Sequence, residues 1–442
     1  MKASPKSFAE LENFISSLAS PGIRPGLERM GRLLDKLGNP EKDFPSVHIV
    51  GTNGKGSTAA YSAAILQEAG YRTALYTSPH LESPDERLLV DGAPLPLEEW
   101  ARACEKIGEI IEGDPVLASD PPTYFELVTA AAFMLCSARK VDAAVTEAGL
   151  GGRLDGTNLL GNVALTLIAS ISMDHSDFLG DTLEKIAGEK FAVMRKGVPA
   201  IFSGNPEKLA PLFMERAREL GAVPAVLFKE IQAENISINE EGVAFTFEGA
   251  GKRLDLRTPL HGSFQVENCS LAVAGMIVLS KKFPKITDSV LVNGVAAARW
   301  PGRFEILRPA PPLILDGAHN PDGMRRLVES LLIIYGKNRP AALYASMKDK
   351  DFSEGLSLLK EGAERLVCTS VPNNPRSADP AELAAAALKA GWEQDVVRAV
   401  YDPWEALAES ESWGKGTICC GSLYFVGHMR TLLFSRRKEL GF

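Results

Sequence analysis

Residues 46–58, Ser-Val-His-Ile-Val-Gly-Thr-Asn-Gly-Lys-Gly-Ser-Thr, constrain the fold more than any other stretch of the chain. Val47 to Val50 make a short apolar run that reads as a buried strand. Gly51 ends it. Gly54 and Gly56 flank Lys55, and Ser57-Thr58 open a helical stretch through Ala59, Ala63, Ala64 and Leu66. A buried strand, a glycine turn and a helix start are the parts of a phosphate cradle in an α/β sheet. Glycines let backbone N–H groups approach anionic oxygens, the helix N-terminus adds positive potential, and the lysine adds a full charge. Ser57 or Thr58 can offer a hydroxyl to Mg²⁺. The match to the general phosphate-loop pattern is inexact, because an extra glycine separates Lys55 from Ser57 and no glycine stands at the usual upstream distance. The competing reading is an ordinary strand-to-helix turn, which gives a lysine between two glycines no packing use.

A chain of 442 residues predicts two or three domains, and 45% hydrophobic with 24% charged residues is material for a sizeable core. The formal charge of −8 offers no global basic footprint, which argues against nucleic acid as the main partner. Cys104, Cys136, Cys269, Cys368, Cys419 and Cys420 form no Cys-x-x-Cys and are expected as buried free thiols in a reducing compartment. Glu10 and Glu12 interrupt any apolar leader, and no uninterrupted apolar stretch reaches the length of a membrane span. A cytoplasmic protein without membrane contact is expected.

Taken in order, residues 7–38 read as two amphipathic helices broken at Pro21-Gly22. Arg72–Tyr76 is a strand ending in the polar Thr77-Ser78-Pro79-His80. Leu97–Ile111 is helical. Thr123 and Glu126 have capping-box spacing and start a helix to about Ala138. Asp142–Thr146 is a strand ending at Glu147, Gly149–Asn158 a glycine-rich loop, and Val163–Ala169 a strand ending at Ser172-Met173-Asp174-His175. Asp181 or Thr182 caps a helix through Met194, and strand 198–203 and a helix near 206–220 follow. Between about 224 and 258, alternating Ile and Val with Gly-rich turns predict antiparallel hairpins. Helices return at 264–281 and 287–298. A boundary is expected at Trp300-Pro301-Gly302, dividing residues 1–299 from 300–442. Beyond it strand and helix alternate again, predicting a second parallel α/β domain.

Gly51–Thr58, Ser78, Glu147 and Asp174-His175 all stand where strands end. In a parallel sheet those ends share one edge, so groups distant in sequence can converge on one crevice. Glu147 can hold Mg²⁺ directly; His175 is a less usual partner for that ion. Lys190, after Glu189, reads either as half of a surface ion pair or as a buried lysine whose lowered pKa favours carbamylation and a carboxylate for a metal. Arg303 can neutralise phosphoryl charge. Asp316 can bind a ribose or adenine edge, or cap the next helix. Asn268 can hydrogen-bond adenine or stand as an exposed amide.

In order along the chain stand Gly51-Thr-Asn-Gly-Lys-Gly-Ser57, Thr77-Ser-Pro-His80, Thr123-Tyr124-Phe125-Glu126, Glu147-Ala-Gly-Leu-Gly-Gly-Arg-Leu-Asp155, Asp174-His175, Pro301-Gly-Arg303 and Asp316-Gly-Ala-His-Asn-Pro321. This ordered set, over about residues 20 to 430, resembles the folylpolyglutamate synthases, in particular the bacterial type that also has dihydrofolate synthase activity. The resemblance implies a Mur-ligase-like fold, with an N-terminal ATPase domain and a C-terminal Rossmann-like domain and the active site between them. It implies ATP, Mg²⁺ at two sites, L-glutamate and a folate or dihydropteroate. On matching positions it implies phosphate contacts from Gly51, Thr52, Asn53, Gly54, Lys55, Gly56, Ser57 and Thr58, and nucleotide contacts from Asn268, Arg303, Asp316 and His319. Ser57, Ser78, Glu147 and His175 match metal ligands, Lys190 matches a carbamylated lysine, and Lys55, Lys190, His175 and Arg303 are the expected catalytic set. Thr123, Tyr124, Phe125, Glu126, Leu154, Asp155 and Gly156 match pterin-binding segments. Two departures stand out: Phe191-Ala192 after Lys190, where the family often has Ala-Gly, and Gly156, where alanine is common.

The implied reaction is ATP-dependent joining of glutamate to a folate carboxylate through an acyl phosphate; with no obvious coiled coil or exposed apolar helix in the sequence, a monomer is expected. A ligase of cell-wall nucleotide precursors shares the phosphate loop and the His-Asn-Pro segment, but such enzymes usually carry a UDP-binding domain before that loop, and 50 residues are too few for one. A phosphate-loop switch or nucleotide-gated binding module, with no ligase chemistry, is the alternative of another class.

Overall fold

The structure is a computed structural model and describes residues 5–348, 350 and 352–437. The chain divides into two compact units. One comprises Met1–Ala233, Phe247–Leu254 and Glu267–Ala298; the other comprises Glu234–Thr246, Asp255–Val266 and Arg299–Phe442.

The first unit is built on eight strands: β1 (Ser46–Val50), β2 (Thr73–Tyr76), β3 (Leu88–Val90), β4 (Ala93–Pro94), β5 (Ala143–Glu147), β6 (Val163–Ile168), β7 (Pro199–Phe202) and β8 (Val223–Val226). Their order across the sheet is β4-β3-β2-β5-β1-β6-β7-β8. From β2 to β8 neighbours run parallel, and β3 and β4 add an antiparallel edge. Every residue of β1, β2 and β5 is buried, as expected of strands covered on both faces.

Two apolar layers do the covering. One gathers Phe44, Tyr76, Trp100, Leu127 and Phe133. The other gathers Val50, Ile168, Phe191, Phe202 and Phe213. In the latter, the rings of Phe191, Phe202 and Phe213 form a triangle with centroids 5.4–5.6 Å apart. Each fully buried phenylalanine contributes roughly 1.5–3 kcal/mol. Phe191 therefore anchors the helix Leu183–Phe191, which carries Lys190. Thr182, not Asp181, caps that helix, accepting from the Lys185 N–H.

The hairpins expected from about residue 224 begin later. Val223–Val226 is instead a parallel edge strand against β7. At a sheet edge Pro224 is tolerated, and the half-exposed residues of the edge mimic hairpin alternation. The antiparallel sheet contains β9 (Ile231–Asn239), β10 (Gly242–Gly249) and β11 (Lys252–Thr258), in the order β11-β10-β9.

The second unit holds β12 (Glu305–Pro309), β13 (Pro312–Leu315), β14 (Ala341–Tyr344), β15 (Leu366–Cys368), β16 (Val397–Ala399) and β17 (Thr417–Cys420), ordered β12-β13-β17-β14-β15-β16. Only β12 is antiparallel to its neighbour. The helices start on readable signals: Asp379 and Asp402 each cap a helix whose first residue is proline. All six cysteines are buried and unpaired. No helix among the described residues is long and apolar enough to cross a membrane.

Candidate active site

Strand order brings the predicted groups of the first unit to one edge. β1 lies between β5 and β6, with β2 beyond β5. Ile49 stands opposite Glu147, Val50 opposite Ile168, and Tyr76 opposite Thr146. The loops after Val50, Tyr76, Glu147 and Ile168 therefore leave the sheet side by side. After β1 the chain crosses to one flank, and after β5 it crosses to the other, which makes this edge a topological switch point.

The loop after β1 is braced against the loop after β6. Gly51 has φ 153°, and a methyl there would come within 2.9 Å of the Ala169 Cβ. Thr52 N–H donates to Ser170 O at 2.7 Å, and the Ser172 N–H donates to Thr52 Oγ1 at 3.1 Å. Ser170 Oγ donates to Asn53 O at 3.2 Å. Gly54 then turns with φ 85°, and Lys55 is the first residue of the helix Lys55–Glu68. The Lys55 ammonium folds back to donate to Thr52 O at 2.9 Å and lies 3.9 Å from Glu147 Oε1. Gly56 follows in the first turn, where backbone N–H groups have no intrahelical acceptor. Ser57 and Thr58 are buried, and Thr58 Oγ1 finds no partner among the described residues.

Asn268 is buried beside this turn, so the exposed-amide reading does not hold. A methyl on Gly54 would run into the Asn268 amide oxygen and would force φ into a region that alanine disfavours. Gly54→Ala is therefore expected to lose about 1–3 kcal/mol of stability and to weaken nucleotide binding at least tenfold. Thermal melts with and without nucleotide check this; an unshifted melt and unchanged nucleotide affinity would sink it.

Lys190 is buried, 3% exposed, and its Nζ donates to Gly51 O at 2.7 Å. Burial, then the Lys55 charge, bring its pKa down to about 7. The surface-pair reading fails: Glu189 pairs instead with Arg153, at 3.0 Å. Glu147 is buried at the end of β5, Ser78 is half-buried, and His175 is exposed at φ 52° with Nε2 3.9 Å from Asp174 Oδ1. Among the described residues no three His, Cys, Asp or Glu side chains gather to hold a metal. At this edge the donors are one buried carboxylate and nearby hydroxyls. That set fits Mg²⁺, which keeps several waters and takes one or two carboxylates, rather than a metal needing a full protein cage.

The two segments matched to pterin binding also meet. Thr123 and Glu126 form the expected capping box: the Thr123 N–H donates to Glu126 Oε2 at 2.7 Å, and the Glu126 N–H to Thr123 Oγ1 at 3.3 Å. Glu126 is also 3.4 Å from Arg29. A methyl on Gly149 would strike the Phe125 ring and approach Asp155 Oδ2. Asp155 is buried and accepts from the Leu150 N–H at 2.7 Å and the Thr157 N–H at 3.0 Å; burial raises its pKa despite these bonds. Leu154 is half-buried, and Gly156 opens a short 3₁₀ turn. Tyr124 is half-buried, and its hydroxyl donates to Glu12 at 3.4 Å.

Some supporting groups carry no sequence signal. Thr157 Oγ1 links Asp155, at 2.5 Å, to His48 Nε2, at 2.9 Å, inside β1. Arg195 clamps the 3₁₀ turn through Asn158 O at 2.6 Å. Both partners lie far apart in sequence, and no motif spacing joins them.

In the second unit Asp316 follows β13 and is buried. It accepts from the Phe304 N–H at 2.7 Å and the Ala318 N–H at 2.8 Å. Burial raises its pKa, and the neighbouring Arg303 opposes that shift. The helix Pro321–Tyr335 is capped by Asn320, so Asp316 is not its cap. His319 Nδ1 contacts Gly317 O at 2.8 Å, and a methyl on Gly317 would press on Arg303. Arg303, Asp316 and the His319 loop thus form one cluster.

Comparison with known proteins adds independent findings. Residues 49–276 match the Mur ligase middle domain, and residues 302–422 match the Mur ligase glutamate ligase domain. The chain is 33% identical to the dihydrofolate synthase/folylpolyglutamate synthase of Bacillus subtilis over 97% of its own length and 99% of the relative's. It is similar to the Mycobacterium tuberculosis folylpolyglutamate synthase solved with ADP and AMPPCP, with a TM-score of 0.88 and 30% identity over 96% and 98% of the two chains. It is also similar to Escherichia coli FolC solved with DHPP and ADP, with a TM-score of 0.84 and 29% identity over 99% of each chain.

Proposed function

The chain belongs to the Mur ligase superfamily, as a folylpolyglutamate synthase/dihydrofolate synthase, and on that premise we propose how its own residues carry out the reaction. It is an ATP-dependent amide-forming ligase that joins glutamate to folates. The observation that carries the proposal is the edge where Lys55, Glu147 and Lys190 stand around the loop after β1, beside the paired segments 123–126 and 154–156.

A carboxylate is a poor acyl donor because its leaving group would be oxide. Attack of the substrate carboxylate oxygen on the γ-phosphorus of ATP breaks the bond to the β-phosphate oxygen, giving an acyl phosphate and ADP. The neutral amine of glutamate then attacks the acyl carbon, inorganic phosphate departs, and the amine loses its proton. In the first step negative charge spreads over the transferred phosphoryl group. Lys55 and the N-terminus of its helix offset that charge, and Gly51 to Thr58 hold the phosphates. From the second unit, Arg303, Asp316 and His319 are assigned to the nucleotide, together with Asn268 from the first. Glu147, with Ser57, Ser78 and His175 as further ligands, would hold magnesium, which would supply additional positive charge at the phosphates. Lys190 is assigned as a carbamate that serves this metal region. The acyl phosphate must be kept from water until the amine attacks it. A monomer suffices for this chemistry.

Incubation with ATP, glutamate and either dihydropteroate or tetrahydrofolate, with mass spectrometry of the products, tests the reading. One ADP is expected for each new amide, with both acceptors used. ATP hydrolysis that ignores both co-substrates would identify a nucleotide switch instead.

A further inference from the structure

Arg87 is a buried cation that meets no anion among the described residues. It stands just before β3 and is 8% exposed. Its Nε donates to His80 Nδ1 at 3.0 Å, and its guanidinium carbon lies 5.4 Å from the centre of the Tyr124 ring. Among the described residues it has no carboxylate partner. Arg29, Arg308 and Arg430, all well covered, each meet one: Glu126, Glu411 and Glu305. The His80 ring nitrogen accepts this bond and brings no negative charge to offset the guanidinium.

Removing a guanidinium from water costs several kcal/mol. The Tyr124 face returns roughly 1–2 kcal/mol, and one bond to a neutral imidazole adds little more. Four of the five N–H donors of the fork are left for something else. The planar fork matches a carboxylate bidentately.

The surroundings say which molecule brings it. Tyr124 belongs to the segment 123–126, and His80 ends the loop that leaves β2 at the switch-point edge. Arg87 therefore joins Tyr124, in the first pterin segment, to His80, at the end of the loop leaving the switch-point edge, beside the place the functional reading above gives the acceptor substrate.

We propose that Arg87 is a specificity-determining residue that binds a carboxylate of the pteroate or folate substrate. The assignment rests on that functional reading. Two carboxylates share this chemistry: the reacting one of a pteroate, and the α-carboxylate of a glutamyl residue already attached.

Titration of wild type, Arg87→Met and Arg87→Lys with pteroate, pteroylglutamate and their carboxamide forms tests it, with ADP affinity and thermal melts as controls. Arg87→Met is expected to weaken the charged ligands about 30-fold or more and the amidated ones by less than about threefold, with Arg87→Lys in between. A loss with pteroate identifies the reacting carboxylate. A loss confined to pteroylglutamate, and abolished by amidating its α-carboxyl, identifies the glutamyl group. Equal weakening of charged and amidated ligands, which a structural role would produce, overturns the assignment, as does no weakening at all. If Arg87→Met fails to fold, the comparison rests on wild type and Arg87→Lys. Wild type must then prefer charged over amidated ligand, and the lysine variant must shrink that preference; otherwise the assignment falls. Wild type that binds none of these ligands removes the functional reading and this assignment together, whereas normal wild-type binding with an unaffected Arg87→Met removes this assignment alone.

Discussion

Lys55→Met is expected to lower ATP-dependent ligation roughly a thousandfold while the protein still folds. Lys55 is the only full positive charge in the Gly51–Thr58 loop, and it is the first residue of the helix Lys55–Glu68. In the resting structure its ammonium is parked on Thr52 O, 2.9 Å away, with Glu147 3.9 Å off. Both contacts are replaceable. A lost charge-assisted bond to a carbonyl costs about 1–2 kcal/mol, a modest part of the stability of a chain this size. By contrast, the charge developing on a transferred phosphoryl group lies in a site where a fixed cation is worth several kcal/mol, because little water remains to screen it. Methionine keeps the stem and removes only the charge, so packing in the first helical turn is preserved. ADP release with both co-substrates, measured beside a thermal melt, separates the two effects. Turnover within tenfold of wild type would refute the phosphate role. A melt lowered by many degrees would show instead that Lys55 is chiefly structural.

How far the residues announced this site depends on what kind of signal each part leaves. Short-range patterns were legible. The apolar run 47–50, its glycine turn and its helix start are a local unit, and so is the Thr123–Glu126 capping box, which the structure forms with both bonds. Convergence of Glu147 and the Gly51 loop followed from one topological rule, that parallel strands end at a common edge. What escaped was set by distant partners. Strands β3, β4 and β12 are short antiparallel edges, defined by the neighbour they pair with rather than by their own two to five residues. Val223–Val226 looked like part of a hairpin because an edge strand is only half covered. Glu189-Lys190 reads either as a solvated charged pair or as a buried lysine, and only the packing of Phe191 against Phe202 and Phe213 decides for the second. Arg87 sits in an Asp-Glu-Arg run that resembles any polar loop, and only the fold buries it.

Lys190 links that buried geometry to a second large effect, and its sign runs opposite for stability and for activity. With a pKa near 7, about half the side chains carry the neutral amine at pH 7, whereas an ordinary lysine carries roughly one in a few thousand. In the unfolded chain Lys190 takes up its proton at about pH 10.4; in the folded protein it does so only near pH 7. Between those values the unfolded state binds more protons, so stability falls as pH drops from about 10 to about 7 and is flat below. The burial of the unmodified lysine thus costs on the order of 4 kcal/mol at neutral pH. Lys190→Met removes that cost and gives up the bond to Gly51 O, worth about 1–2 kcal/mol. It is therefore expected to be more stable than unmodified wild type at pH 7 by about 2 kcal/mol, and the gain should vanish near pH 10. Activity should move the other way. Carbamylation consumes a neutral amine and CO₂ and releases a proton, so it is favoured as pH rises through 7. Ligation by Lys190→Met should fall at least a hundredfold. Wild type stripped of CO₂ at pH 6.5 should be weakly active and recover with bicarbonate at pH 8, while the variant should not respond. Denaturant melts at pH 7 and 10, with turnover measured with and without bicarbonate, check both halves. An active Lys190→Met, or a wild type indifferent to CO₂ at every pH, would end the carbamate assignment. A variant less stable than wild type at pH 7 would show that the amine gains more from Gly51 O than it loses to burial.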